Sequence, residues 1–200
     1  DGTTSSESDD ETVNSVAGKI IIEKQTIGGD QGFDFYPSWS EPTFRLSDNQ
    51  TYPSMWLAPG TYSVTEQTLG DWDLTDIDCI VEGGQSVYRA RPSTDTVEID
   101  LSAGETITCT FTNTQLGKIV VEKQTLPNST SGSFEFNSSW DDENFFLSDG
   151  QQKESWLMPE TYSINEIVLS GWVLTNTTCS SSIKDTETYG NLELDSGETM

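Results

Sequence analysis

Two stretches of this chain, about 100 residues apart, repeat each other, and each puts a lysine and a glutamate on strand faces that are otherwise apolar. The first copy opens Gly18-Lys-Ile-Ile-Ile-Glu-Lys-Gln-Thr26 and the second Gly117-Lys-Ile-Val-Val-Glu-Lys-Gln-Thr125. The register continues through Phe33-Asp-Phe35 and Phe134-Glu-Phe136, then Phe44-Arg-Leu-Ser-Asp48 and Phe145-Phe-Leu-Ser-Asp149. It holds through Trp56-Leu-Ala-Pro-Gly-Thr-Tyr62 and Trp156-Leu-Met-Pro-Glu-Thr-Tyr162, and reaches Cys79 and Cys179. Solenoid units repeat every ~20–50 residues, so a period this long is that of a whole domain. The organisation expected is an acidic Ser/Thr-rich disordered tether over 1–17, one β repeat over 18–116 and a second, incomplete one over 117–200.

Short alternating segments bounded by Gly, Pro, Asp, Asn or Ser recur along both copies, and none shows a helical period. That pattern predicts an all-β chain of tandem sandwiches. Because side chains alternate faces along a strand, parity assigns what each strand buries. Ile20, Ile22 and Lys24 share a face, as do Tyr62, Val64 and Glu66, and as do Ile107, Cys109, Phe111 and Asn113. Three apolar faces thus each end in one polar residue. The second copy repeats two of them, as Lys123 and Glu166. A buried, unpaired lysine or glutamate costs several kcal/mol or changes protonation state. Three readings stand: each polar residue turns out to solvent at its strand end, Lys and Glu form a partly buried ion pair, or an intramolecular isopeptide bond joins Lys24 to Asn113. In the third reading burial supplies a neutral amine and a protonated Glu66 that polarises the carboxamide and shuttles protons.

Charge excludes several classes. The chain has 34 Asp plus Glu, nine Lys plus Arg, no His and a net charge of −25. The sparse bases form no basic patch to hold nucleic acid or anionic lipid, and no apolar run is long enough to span a bilayer. A solvated surface, adaptation to salt or calcium binding would each account for the acidity, although no D-x-D-x-D-G loop is present. Three cysteines without histidine argue against a zinc site, and no cofactor is expected. There is no G-x-S-x-G and no phosphate-binding glycine loop, so turnover of an external substrate is not expected. Sequons at Asn49, Asn128, Asn137 and Asn176 are candidate glycosylation sites and, with the expected disulfide, point outside the cell, and the start at Asp1 suggests a mature secreted product or a fragment. Six tryptophans recur at matched positions, which favours the core. Trp39 and Trp140, in polar surroundings, are the candidates for a ligand platform.

The order of the segments Ile20-Ile-Ile-Glu-Lys24, Pro59-Gly-Thr-Tyr-Ser-Val-Thr-Glu66 and Phe111-Thr-Asn-Thr114 resembles the collagen-adhesin B-type, or SpaA-like, prealbumin-fold (transthyretin-like) repeat. The resemblance covers the first copy fully and the second in all but its last strand. It implies tandem seven-stranded Greek-key sandwiches used as stalk modules in surface adhesins and pili. In that family Lys24 would be the nucleophile, Asn113 the acceptor and Glu66 the promoter of an isopeptide bond. Partners implied are further repeats or copies of the same protein, with a host, glycan or matrix ligand as an alternative.

Two departures from the family pattern matter. Cys79, inward with Ile77 and Val81, is expected to bridge Cys109 on the last strand; two buried reduced thiols are the alternative. Ser196-Gly-Glu-Thr-Met200 matches Ala103-Gly-Glu-Thr-Ile107, so the second copy is expected to lack its last strand. Cys179 then remains as the third cysteine, and Lys123 with Glu166 has no asparagine. Either a longer array continues, or a neighbouring subunit donates the strand and builds a filament, with Thr12-Val-Asn-Ser-Val16 as the nearest donor.

Overall fold

The structure is a computed structural model that describes residues 16–82, 84–128, 132–183 and 188–200. The tether expected over 1–17 and the donor segment 12–16 therefore lie almost wholly outside the described residues.

The first copy is built from β1 (Lys19–Ile27), β2 (Phe33–Pro37), β3 (Phe44–Leu46), β4 (Thr51–Pro53), β5 (Gly60–Glu66), β6 (Trp72–Glu82), β7 (Val87–Arg91), β8 (Thr96–Leu101) and β9 (Thr106–Gln115). The longest of these strands follow the alternation written in the sequence: β1 buries every second residue from Ile20 to Lys24, and β9 every second one from Ile107 to Asn113. Two sheets result, in the orders β4-β1-β9-β6 and β3-β2-β5-β8-β7. β1 and β9 run parallel, whereas every other neighbouring pair is antiparallel. Their inner faces share one core, in which Ile20, Ile22, Ile107 and Phe111 of one sheet meet Phe33, Phe35, Val64, Val97 and Ile99 of the other. The three-residue strands β3 and β4 lie at sheet edges and bring the strands among the described residues of this copy to nine.

The second copy begins in the same way, with β10 (Gly117–Glu122), β11 (Phe134–Ser138), β12 (Phe145–Leu147), β13 (Gln152–Leu157), β14 (Thr161–Tyr162), β15 (Ile164–Ile167) and β16 (Leu192–Glu193). Its strands form three small sheets, β10-β13, β12-β11-β15 and β14-β16. Its core is divided, with Ile119, Leu192 and Leu194 in one cluster and Phe134, Phe136 and Leu147 in another. The reason is visible in the first copy. There β6 pairs with β9 along its length, whereas the matching residues 172–182 form no strand and meet the Thr199 segment through the Ser182 amide, which donates to the Thr199 carbonyl at 2.9 Å. Thr199 does pair with Lys118, in the register that Thr106 keeps with Lys19. Amide hydrogen bonds from Lys118 to the Glu198 carbonyl and from Val120 to the Met200 carbonyl continue that alignment.

One residue, Leu116, separates β9 from β10, and its amide donates to the Asp71 carbonyl at 2.9 Å. Gly28, at φ +98°, sits against this junction, where an added Cβ would come within 2.3 Å of the Ser196 Cβ. No helix among the described residues is long and apolar enough to cross a membrane.

Candidate cross-linking site

β1, β5 and β9 deliver Lys24, Glu66 and Asn113 to one point in the sandwich, and all three side chains are buried. Lys24 Nζ donates to Asn113 Oδ1 at 2.6 Å, and Asn113 Nδ2 donates to Glu66 Oε1 at 2.5 Å. The carboxamide therefore stands between the amine and the carboxyl group. Lys24 Nζ also donates to the carbonyls of Gln25 and Phe111, at 2.8 and 2.9 Å, and lies 4.4 Å from the Phe33 ring centroid. Glu66 Oε2 is 3.5 Å from Nζ and has no hydrogen-bond partner among the described residues.

Burial governs the protonation of this cluster. It pushes Lys24 down from 10.5 to about 8, against the pull of Glu66. It pushes the Glu66 carboxyl above its ordinary value, against Lys24 and the Asn113 hydrogen bond. Both shifts favour the neutral amine and the neutral acid, because a dry environment penalises charge more than the pairing restores it.

The second copy brings Lys123 and Glu166 together without an intervening amide: Nζ lies 3.0 and 2.8 Å from the two carboxylate oxygens and 4.2 Å from the Phe134 ring centroid. No asparagine of the described residues stands between them, so this site is a direct ion pair. Phe33 and Phe134, the aromatic floor under each amine, stood in the sequence as matched positions of the repeat but not as part of the site.

Cys79 and Cys109 face each other in the β6–β9 register and form a disulfide, with Cα atoms 4.1 Å apart. Closing a loop with a sequence separation of 30 adds roughly 3–4 kcal/mol in the chain-entropy account. Cys179 is half-buried against the Ile119 cluster. Asn49, Asn128, Asn137 and Asn176 are all exposed, although residues 129–130 of the Asn128 sequon lie outside the described residues.

The tryptophan expectation needs correction. Trp39 is only 6% exposed, and its ring meets Tyr62 edge-on, while Nε1 donates to Glu41 at 2.6 Å. Trp140 is half-buried against Tyr162 in the same arrangement. Polar neighbours in sequence marked a loop that folds its tryptophan inward, not an exposed ring. The exposed indoles are Trp56 and Trp156. Two buried carboxylates also escaped the sequence reading. Glu105 accepts from the Gln85 and Ser86 amides and the Ser86 hydroxyl, and Glu198, its counterpart, accepts from Asp195 and Ser181.

Residues 20–115 match the SpaA_4 family, described as a prealbumin-like fold domain, and this part of the chain is a SpaA-like prealbumin-fold domain. Comparison with curated protein sequences gives no match. Among solved structures, a streptococcal ancillary pilin is similar with a TM-score of 0.37 and 14% identity, over 89% of this chain and 62% of that one. The Bacillus anthracis TIE protein is similar with a TM-score of 0.34 and 13% identity, over 92% of this chain and 33% of that one. A C-terminal fragment of pilus adhesin SpaC from Lactobacillus rhamnosus GG gives 0.26 and 15%, over 75% and 74%. This chain spans less than two thirds of the length of the first two.

Proposed function

We propose that the chain is a structural stalk or fibre module of an extracellular or cell-surface protein of the pilus or adhesin kind, and not an enzyme. In this reading 18–116 and 117–200 are successive modules, and further repeats or copies of the protein are its partners. The observation that carries the proposal is the buried Lys24–Asn113–Glu66 cluster, whose Lys24 and Asn113 lie on the two strands through which the first copy is entered and left.

The first copy is entered at β1 and left at the end of β9, and these strands are parallel neighbours. Pulling the ends apart therefore shears nine register pairs at once. A covalent link between Lys24 and Asn113 would carry that force from β1 to the far end of β9 and leave the rest of the sandwich unloaded. The Cys79–Cys109 bridge ties β9 to its other neighbour, β6.

The reaction proposed is amide exchange. The neutral Lys24 Nζ attacks Asn113 Cγ, a bond forms between them, and the Cγ–Nδ2 bond breaks. Glu66 gives a proton to the leaving nitrogen and takes one from Nζ, so ammonia departs and the carboxyl is regenerated. Proximity in a dry core supplies most of the acceleration. The test is mechanical: single-molecule extension of wild type against Asn113→Ala under reducing conditions. Wild type should resist extension of the segment between 24 and 113, and equal contour lengths would refute the stalk mechanism.

A further inference from the structure

Lys19 and Trp56 form an exposed ledge that recurs as Lys118 and Trp156. The ammonium lies 5.6 Å from the indole centroid in the first copy and 5.4 Å in the second. The two indoles are 68% and 50% exposed, whereas Trp39 and Trp72 are in the core. Flanking residues differ between the copies, with Met55 and Ala58 standing against Ser155 and Met158. The Lys–Trp pair is retained there together with Leu57 and Pro59, which recur as Leu157 and Pro159, although exposed indoles contribute little to a core and lower solubility.

The ledges also differ in what stands within reach of the ammonium. In the second copy Glu154 faces Val120, and its carboxylate is 3.5 Å from Lys118 Nζ. In the first copy the matching position, opposite Ile21, is Pro53. Lys19 has no ion pair among the described residues, on a chain with 34 acids.

We propose that the Lys19–Trp56 ledge binds a saccharide bearing a carboxylate, beyond any structural role of the module. The weakly positive C–H face of a pyranose stacks on the negative face of the indole. Its carboxylate pairs with Lys19, taking the place that Glu154 holds in the second copy. That second ledge is the self-occupied version of the site. With a net charge of −25 on the chain, short acidic oligosaccharides are favoured over long polyanions, which the surface as a whole repels.

The experiment is titration of the whole chain with a galacturonic acid trisaccharide, a neutral galactose trisaccharide and triglutamate, followed by tryptophan fluorescence and calorimetry. Saturable binding of the acidic sugar is expected, weakened at least about tenfold by Lys19→Met, Trp56→Ala and Pro53→Glu. Trp156→Ala should bind as wild type. Pro53→Glu rebuilds the second copy's arrangement on an edge strand, and an unchanged thermal midpoint shows that its fold is intact. The proposal is overturned by an absence of saturable binding, by equal affinity for the neutral sugar, by tighter binding of triglutamate, or by indifference to Lys19→Met and Pro53→Glu.

Discussion

Lys24 and Asn113 meet although they are not register partners. In the parallel pair of β1 and β9, Lys24 stands beside Phe111, and Asn113 stands beside Thr26. Residues two apart on one face are separated by roughly 6.6 Å, a gap that an extended lysine side chain spans. The reach sets the amine 2.6 Å from the carboxamide oxygen and leaves the asparagine's other end to Glu66.

Lys24 gives the site a pH signature. In Asn113→Ala, which cannot cross-link, the amine remains and its folded value of about 8 lies below the ordinary 10.5. Between those values the unfolded chain binds more protons, so stability rises with pH across that window and falls as pH drops through it. Chemical denaturation from pH 7 to 11 should show this rise in the variant. A cross-linked wild type, whose Nζ is an amide nitrogen, should lack it. Glu66→Gln should slow ammonia release by ~10²-fold or more, read by mass after refolding.

The disulfide should contribute independently of Lys24. Replacing Cys79 and Cys109 by alanine is expected to lower unfolding free energy by roughly 3–4 kcal/mol, with the sheet retained by circular dichroism. A loss below about 1 kcal/mol would mean that another constraint already holds β9 against β6.

Trp140 Nε1 is buried without a hydrogen-bond partner among the described residues, whereas Trp39 Nε1 has Glu41. The residue matching Glu41 is Asp142, one methylene shorter. Asp142→Glu should therefore stabilise the second copy by about 0.5–1.5 kcal/mol, measured by denaturant melts.

Glu105 makes the opposite pH argument to Lys24. The Ser86 hydroxyl, with the Ser86 and Gln85 amides, holds its carboxyl below the ordinary value despite burial. A lowered folded value stabilises above the unfolded value of ~4.3, and that stabilisation is lost as pH falls through the folded one. The midpoint gap between wild type and Glu105→Gln should be constant near neutrality and shrink in acid. A gap independent of pH would contradict it.

Parity alone identified the inward faces that carry Lys24, Glu66, Asn113, Cys79 and Cys109, because a two-residue period survives in any sheet order. It could not give the offset between Lys24 and Asn113, which depends on β1 and β9 being parallel. Nor could it tell Trp39 from Trp56. The first loop folds back over Tyr62, whereas the second tryptophan follows an edge strand and points outward. Residues 172–182 keep Trp172, Leu174 and Cys179 at positions matching Trp72, Leu74 and Cys79, but put Thr177 and Ser181 where β6 has Ile77 and Val81, and they form no strand.

Peptide mass spectrometry of the digested native chain, before and after reduction, tests the central claim most directly. The account predicts a Lys24 peptide joined to the Asn113 peptide, lighter than their sum by one ammonia and intact in reductant. Separate, full-mass Lys24 and Asn113 peptides after reduction would contradict it, and would leave Lys24 and Glu66 as a buried ion pair beside an ordinary asparagine.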